Sequence, residues 1–202
     1  MNSKRIDKLI KFLKEIEKLK FIYRRVYLSD RKRKENDAEH SWHLAMFIIL
    51  FEKDFPKLNP EKMLKMALIH DLVEIYAGDT FSFDKSALAS KNDREEKAAK
   101  KLFKLLPADL EREFNKIFRE YDERKTPEAK FTQSFDKLLP ILQNILSRGK
   151  AWEEFRITKQ NVEDHKRKYH LHNKKIFFIF QKLISEVSRK NLFYKGKNDW
   201  QE

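Results

Sequence analysis

Apolar residues recur at three- and four-residue steps along most of this chain, and that spacing predicts a series of helices. Ile6, Leu9, Ile10, Leu13, Ile16 and Leu19 form one stripe over residues 4–20, with lysines opposite and Ser3 as the expected N-cap. Residues 21–36 are basic and aperiodic and read as a connection. Asn36 with Glu39 three positions on forms a capping-box pair, so a second helix is expected to start at Asn36 or Asp37. From Leu44 to Phe51 it reads LAMFIILF, apolar on every side, which predicts a helix buried all round. Asn59 and Pro60 open a third helix that runs through MLKMALIHDLVEIY and stops at Gly78.

Residues 79–92 are polar with aromatic insertions and read as a loop that could form part of a lid. Helices are expected over roughly 93–106 and 107–123. Thr126-Pro127-Glu128 opens the next, which carries Phe131, Phe135, Leu138, Leu139, Leu142, Ile145 and Leu146, with Gly149 a point of interruption. A last long helix is expected at about 159–190, with Phe177, Phe180, Leu183, Ile184 and Val187 as its stripe, followed by a polar, frayed end. Neither a repeat nor a linker is visible, so residues 1–202 read as a single domain.

Composition narrows this to an all-α fold. Only 3 Gly and 5 Pro occur in 202 residues, too few turn residues for an all-β chain, and 17 Phe supply bulk for packing helices. Cysteine is absent, so any metal must be held by imidazole and carboxylate. The first twenty residues, MNSKRIDKLIKFLKEIEKLK, lack the apolar stretch of a secretory leader, and no run approaches a membrane span. Cytoplasm is the expected compartment. The net charge of +13 suits an anionic substrate, but lysines spread along the whole chain mostly describe a solvated surface. The local excess Arg24, Arg25, Arg31, Lys32, Arg33 and Lys34 is the more suggestive part.

Candidate chemistry is concentrated in ALIHDLVEIYAGDT. Glu74 lies four residues after His70 and three after Asp71, so on a continuous helix all three share one side. Leu68, Ile69, Leu72, Val73 and Ile75 surround them, and burying two carboxylates and an imidazole there is costly unless a cation binds them. A second imidazole facing His70 could come from His40 or His43, both in EHSWHLAM. Asp136, in FTQSFDKLLPIL, has Phe131, Phe135 and Leu139 nearby and is expected to point inward. Pro140 cannot donate to the Asp136 carbonyl, so a kink is expected there. Glu39 is better explained by capping than by orienting a ligand, while for His43 orienting a ligand and plain polarity near the site stay equally open.

A His, then an adjacent His-Asp, then a distant Asp, all on helices, resembles the signature of the HD-domain metal-dependent phosphohydrolases. EHSWHLAM, ALIHDLVEIYAGDT and FDKLLPILQN together resemble its 5'-deoxynucleotidase branch, over about Leu19 to Trp152. The resemblance implies an all-helical HD-domain bundle, commonly dimeric. It implies a divalent cation (Mn, Co, Zn, Fe or Mg) on His40, His70, Asp71 and Asp136. It implies catalytic roles for Glu74, Asp79 and Arg24, with Glu74, Asp79 and Thr80 as a possible second metal site. Arg25 departs from the pattern, because an aromatic residue there helps some members select deoxyribose.

The expected activity is therefore release of phosphate from (deoxy)nucleoside 5'-monophosphates, with a small phosphate ester as partner and neither membrane nor nucleic acid. Two rivals stay open. One keeps the metal and changes the substrate to a cyclic nucleotide, an alarmone or a sugar phosphate. The other is a basic, non-enzymatic nucleic-acid-binding protein, which leaves the acids on apolar helices unexplained.

Overall fold

Asn2, not Ser3, caps the first helix, its side-chain oxygen accepting from Lys4 N at 3.1 Å. The computed structural model describes residues 2–196. Helix makes up 72% of the described residues beside a two-stranded sheet, which confirms the all-α class. The chain gathers into two compact units. One holds residues up to Arg24 together with Asn36–Thr132, and the other holds Arg25–Glu35 together with residues from Gln133 on.

Helix α1 (Ser3–Ile16) passes through a 3-10 turn (Glu17–Phe21) into strands β1 (Tyr23–Tyr27) and β2 (Lys34–Asn36). Residues 21–36 are therefore a hairpin and not a plain connection. Tyr23, Val26 and Tyr27 favour extended backbone, but a five-residue strand is too short to register as a period. Leu28 N donates to Arg33 O at 3.0 Å across the turn, where Arg31 takes a φ of 63°.

The capping box at Asn36 and Glu39 forms as expected and starts α2 (Asp37–Phe51). The expectation that α2 is buried all round fails. Leu44 and Ile48 face the core, but Trp42 and Leu50 are 64% and 69% exposed, and Ile49 is exposed beside them.

Asn59 caps α3 (Pro60–Ile69). The third helix is not continuous: His70–Val73 tighten into a 3-10 turn before the single turn α4 (Glu74–Ala77), which ends at Gly78 with φ 75°. A 3-10 turn advances about 120° per residue instead of about 100°, so it redirects every side chain after Ile69. The loop after Gly78 contains a short helix, α5 (Lys85–Ala89), capped by Asp84. Helices α6 (Lys91–Phe103) and α7 (Ala108–Glu123) follow, and the first begins and ends slightly earlier than the pattern indicates.

These elements close on one apolar cluster. Met66, Ile69, Leu72 and Val73 bracket the His70-Asp71 pair and pack with Phe12, Leu19, Leu102, Phe103, Ile117 and Phe118. Phe103 meets Phe114 and Phe118 edge-on, at ring centroid distances of 5.7 and 6.2 Å. The turn carrying the two polar residues is thus held on a rigid apolar floor.

Helix α8 (Pro127–Leu146) begins in the first unit and continues in the second without a break at Pro140. Asn144 Nδ2 donates to the Pro140 carbonyl at 2.9 Å. Beyond it, α9 (Lys150–Glu154) follows Gly149, whose φ of 72° and proximity to Leu192 O, 2.4 Å from where a Cβ would stand, leave no room for a side chain. The expected long last helix is two: α10 (Lys159–Lys166) and α11 (Lys174–Arg189). A 3-10 turn at Arg167–Tyr169 separates them, and Asn173 restarts the chain as the cap of α11. The expected frayed end is partly docked, with Phe193 stacked on Trp152 at 4.8 Å, and its remainder from residue 197 lies outside the described residues.

Two stability outcomes follow from this packing. Phe103→Ala, at a fully buried site, should cost about 3–5 kcal/mol in urea unfolding, while Leu13→Ala, at a 63% exposed one, should stay within about 0.5 kcal/mol. His170 is fully buried, stacked on Phe180 at 4.6 Å and bonded through Nε2 to Ser134 O at 3.2 Å. Burial, aided by Lys166, pushes its imidazole down to about 4 from 6.5. Its folded value lies below its unfolded one, so the associated stability is full above pH 6.5 and drains as pH falls towards about 4. The loss should reach about 3 kcal/mol. Unfolding curves across that window should show the decline, and His170→Gln should flatten it.

Candidate metal centre

His70 is oriented by its own helix. Its Nδ1 lies 3.0 Å from Ala67 O, and a carbonyl can only accept, so Nδ1 carries a proton and Nε2 is turned towards Asp71, to hold a second proton or a cation. That Nε2 stands 3.1 Å from Asp71 Oδ1. His40, one turn into α2, brings its Nε2 to 3.9 Å from Asp71 Oδ2, with the two imidazole centroids 5.7 Å apart. His40, His70 and Asp71 are all buried, each with a ligating atom within 4.8 Å of the others. A lone pair facing a carboxylate oxygen at 3.1 Å is repulsive unless a cation or proton lies between them. Two donors that far apart also match adjacent ligands of one ion, whose bonds to nitrogen and oxygen run about 2.0–2.2 Å. The donor set therefore fits a divalent transition metal.

Arg24, at the start of the hairpin, also reaches Asp71. Its Nη1 lies 3.0 Å from Asp71 Oδ2 and 3.4 Å from Asp37 Oδ1. Burial alone would raise the Asp71 carboxyl, but the charges of His70, Arg24 and His40 outweigh it and hold the group well below the usual carboxylate range.

A second group of ligating atoms, again within 4.8 Å of one another, comes from Asp37, Glu74 and Asp79. The 3-10 turn explains why Glu74 joins it instead of lining up with His70, as a continuous helix would require. Burial, then the charge of Asp71, pushes Asp37 up to about 7. Glu74 is driven well above its ordinary value by burial and by Asp71, Asp37 and Asp79. Asp37 Oδ2 and Glu74 Oε2 are buried without a hydrogen-bond partner. Three carboxylates so placed call for a shared proton or a cation.

The other candidates sort plainly. His43 is half-buried against Trp42 and Phe47 and belongs to neither group. Glu39 completes the capping box. Thr80 is buried, and its Oγ1 accepts from Arg94 Nη2 at 2.9 Å. Arg25 is exposed, 5.7 Å from the Phe155 ring. Asp136 lies in the second unit, buried on α8, with Lys137 Nζ 2.6 Å from its Oδ2.

Sequence reasoning missed Asp37 and Arg94. Asp37 stands three residues before His40, one turn away on the same side of α2, but an acid in a first turn is already explained by the helix dipole. Arg94, in a run of charges on α6, carries no distinguishing pattern.

Residues 16–176 match the HD domain family. The chain is 32% identical over 136 residues to a Homo sapiens protein named 5'-deoxynucleotidase HDDC2, covering 67% of this chain and 63% of that one. It is 30% identical over 148 residues to 5'-deoxynucleotidase hdd1 of Schizosaccharomyces pombe, covering 71% and 74%. The chain thus spans just under two thirds of the length of its human relative. Among solved structures, a predicted metal-dependent phosphohydrolase from Magnetospirillum magnetotacticum is 36% identical with a TM-score of 0.86, over 95% of this chain and 99% of that one.

The electrostatics predict an inverse effect of one substitution. Glu74→Gln removes a carboxyl whose ionisation burial and three neighbouring acids penalise, so the metal-free protein should melt a few degrees higher than wild type. The gain in melting temperature on adding Mn²⁺ should shrink. Thermal scans with and without the ion check both.

Proposed function

This chain belongs to the HD domain family, and on that footing we propose that it is a metal-dependent phosphohydrolase releasing phosphate from nucleoside 5'-monophosphates, deoxynucleotides foremost. The observation that carries the reading is the convergence of His40, His70 and Asp71 with Arg24 against the same carboxylate. The relatives named as 5'-deoxynucleotidases support the substrate class.

His40, His70 and Asp71 would hold the cation. Asp37, Glu74 and Asp79 would hold a second cation; Thr80, already engaged by Arg94, helps fix that segment. When bound, a divalent cation supplies Lewis acidity towards a phosphoryl oxygen and towards water. The residues do the rest. Arg24 offers a planar fork to the phosphate oxygens and stabilises the charge that grows there. Glu74 Oε2, buried and without a partner, orients the attacking water and takes its proton. The water oxygen bonds to phosphorus as the ester oxygen leaves in line, and the nucleoside departs as an alcohol after gaining a proton.

No described helix is long and apolar enough to cross a membrane. We further assign the protein to the cytoplasm as a homodimer, for which the exposed Trp42, Ile49 and Leu50 of α2 offer an apolar face.

Purified protein loaded with Mn²⁺, Co²⁺, Zn²⁺, Fe²⁺ or Mg²⁺ should release inorganic phosphate from a panel of deoxy- and ribonucleoside monophosphates. Asp71→Ala should lower turnover about 1,000-fold or more, and Arg24→Ala should lower kcat/KM about 100-fold or more. Silence across the whole panel with every metal overturns the reading.

A further inference from the structure

We propose that Arg94 is a positioning residue that clasps the segment after α4 and thereby holds Asp79 against Asp37 and Glu74. The claim rests on the phosphohydrolase reading of that site and assigns Arg94 a part in it.

One guanidinium ties the segment at four points. Nη1 donates to Ala77 O, Nη2 to Thr80 Oγ1 at 2.9 Å and to Ala87 O at 3.2 Å, and Nε to Ser90 Oγ at 3.3 Å. Asp79 lies between the first two anchors, next to Gly78, whose φ of 75° and ψ of 150° form a bend that ordinary residues resist. Asp79 is also the partly exposed member of its group, while Asp37 and Glu74 are buried on helices. Mutual repulsion among three carboxylates acts most readily on the one carried by a loop, and swinging outward relieves it. The guanidinium opposes that motion through its bonds to Ala77 and Thr80 on either side of Asp79. It draws on an end-of-helix carbonyl at Ala77 that α4 itself leaves unsatisfied. Its forked geometry is essential, because a lysine ammonium is a single point and cannot span Ala77, Thr80 and Ala87 together.

A purely structural role would also be disturbed by mutation, so the experiment separates the two. Wild type, Arg94→Lys, Arg94→Ala, Thr80→Val, Asp79→Asn and the Arg94→Ala/Asp79→Asn pair are compared by phosphate release with Mn²⁺, by Mn²⁺ titration and by amide hydrogen exchange. Expected for Arg94→Lys is a fall in kcat of about 10–100-fold with KM changed much less, as for a misplaced group. Exchange should quicken at least about 10-fold over residues 78–83 and stay unchanged in α2 and α7. The double variant should be no slower than Asp79→Asn alone, because both changes remove one function.

Wild-type kcat and exchange in Arg94→Lys overturn the proposal. So does a double variant whose loss is the product of the single losses, or an exchange increase spread evenly over the first unit. Should Arg94→Ala fail to fold, Arg94→Lys and Thr80→Val give the same readouts. If wild type releases no phosphate, the phosphohydrolase reading fails by itself, and exchange over 78–83 together with Mn²⁺ affinity still decides the role of Arg94.

Discussion

A carboxylate removed from water must be neutralised where it stands, and Asp71 is where this structure meets that demand. His70 stands 3.1 Å from one oxygen, while Arg24 lies 3.0 Å and His40 3.9 Å from the other. Each neighbour comes from a different element, so satisfying one side chain fixes the start of the hairpin, α2 and the 3-10 turn relative to one another. The apolar cluster beneath, from Ile69, Leu72 and Val73 to Phe103 and Phe118, makes that arrangement stiff. Positive groups around a buried anion and three crowded carboxylates beside it form a local conflict that the core outweighs. A cation among these groups would relieve that conflict.

Much of this was legible in the sequence. The all-α class followed from helical periodicity and scarce turn residues, and Asn36, Asn59 and Gly78 marked real boundaries. The pairing of His70 and Asp71 inside an apolar run pointed to the candidate site, because burying such groups together is expensive unless something binds them. Periodicity could not choose between His40 and His43, since both lie on adjacent parts of one face; the structure brings His40 to the pair.

What escaped has physical reasons. A 3-10 turn at His70–Val73 leaves no sequence mark, because the same residues suit an α-helix, yet it separates Glu74 from His70 and sends it to Asp37 and Asp79. Asp37 was hidden by its plausibility as a first-turn acid. Arg94 acts through the far end of a long side chain, 14 residues beyond Thr80, where no local pattern reaches. The exposed face of α2 was misread because LAMFIILF is apolar all round, and composition alone does not say which side the core covers.

The central claim is that two imidazoles and one carboxylate bind one metal ion, and X-ray absorption on protein loaded with one equivalent of Zn²⁺ tests it most directly. The account predicts a first shell containing two imidazole nitrogens, falling to one in His40→Gln. A shell of oxygen alone, unchanged by that substitution, would contradict it.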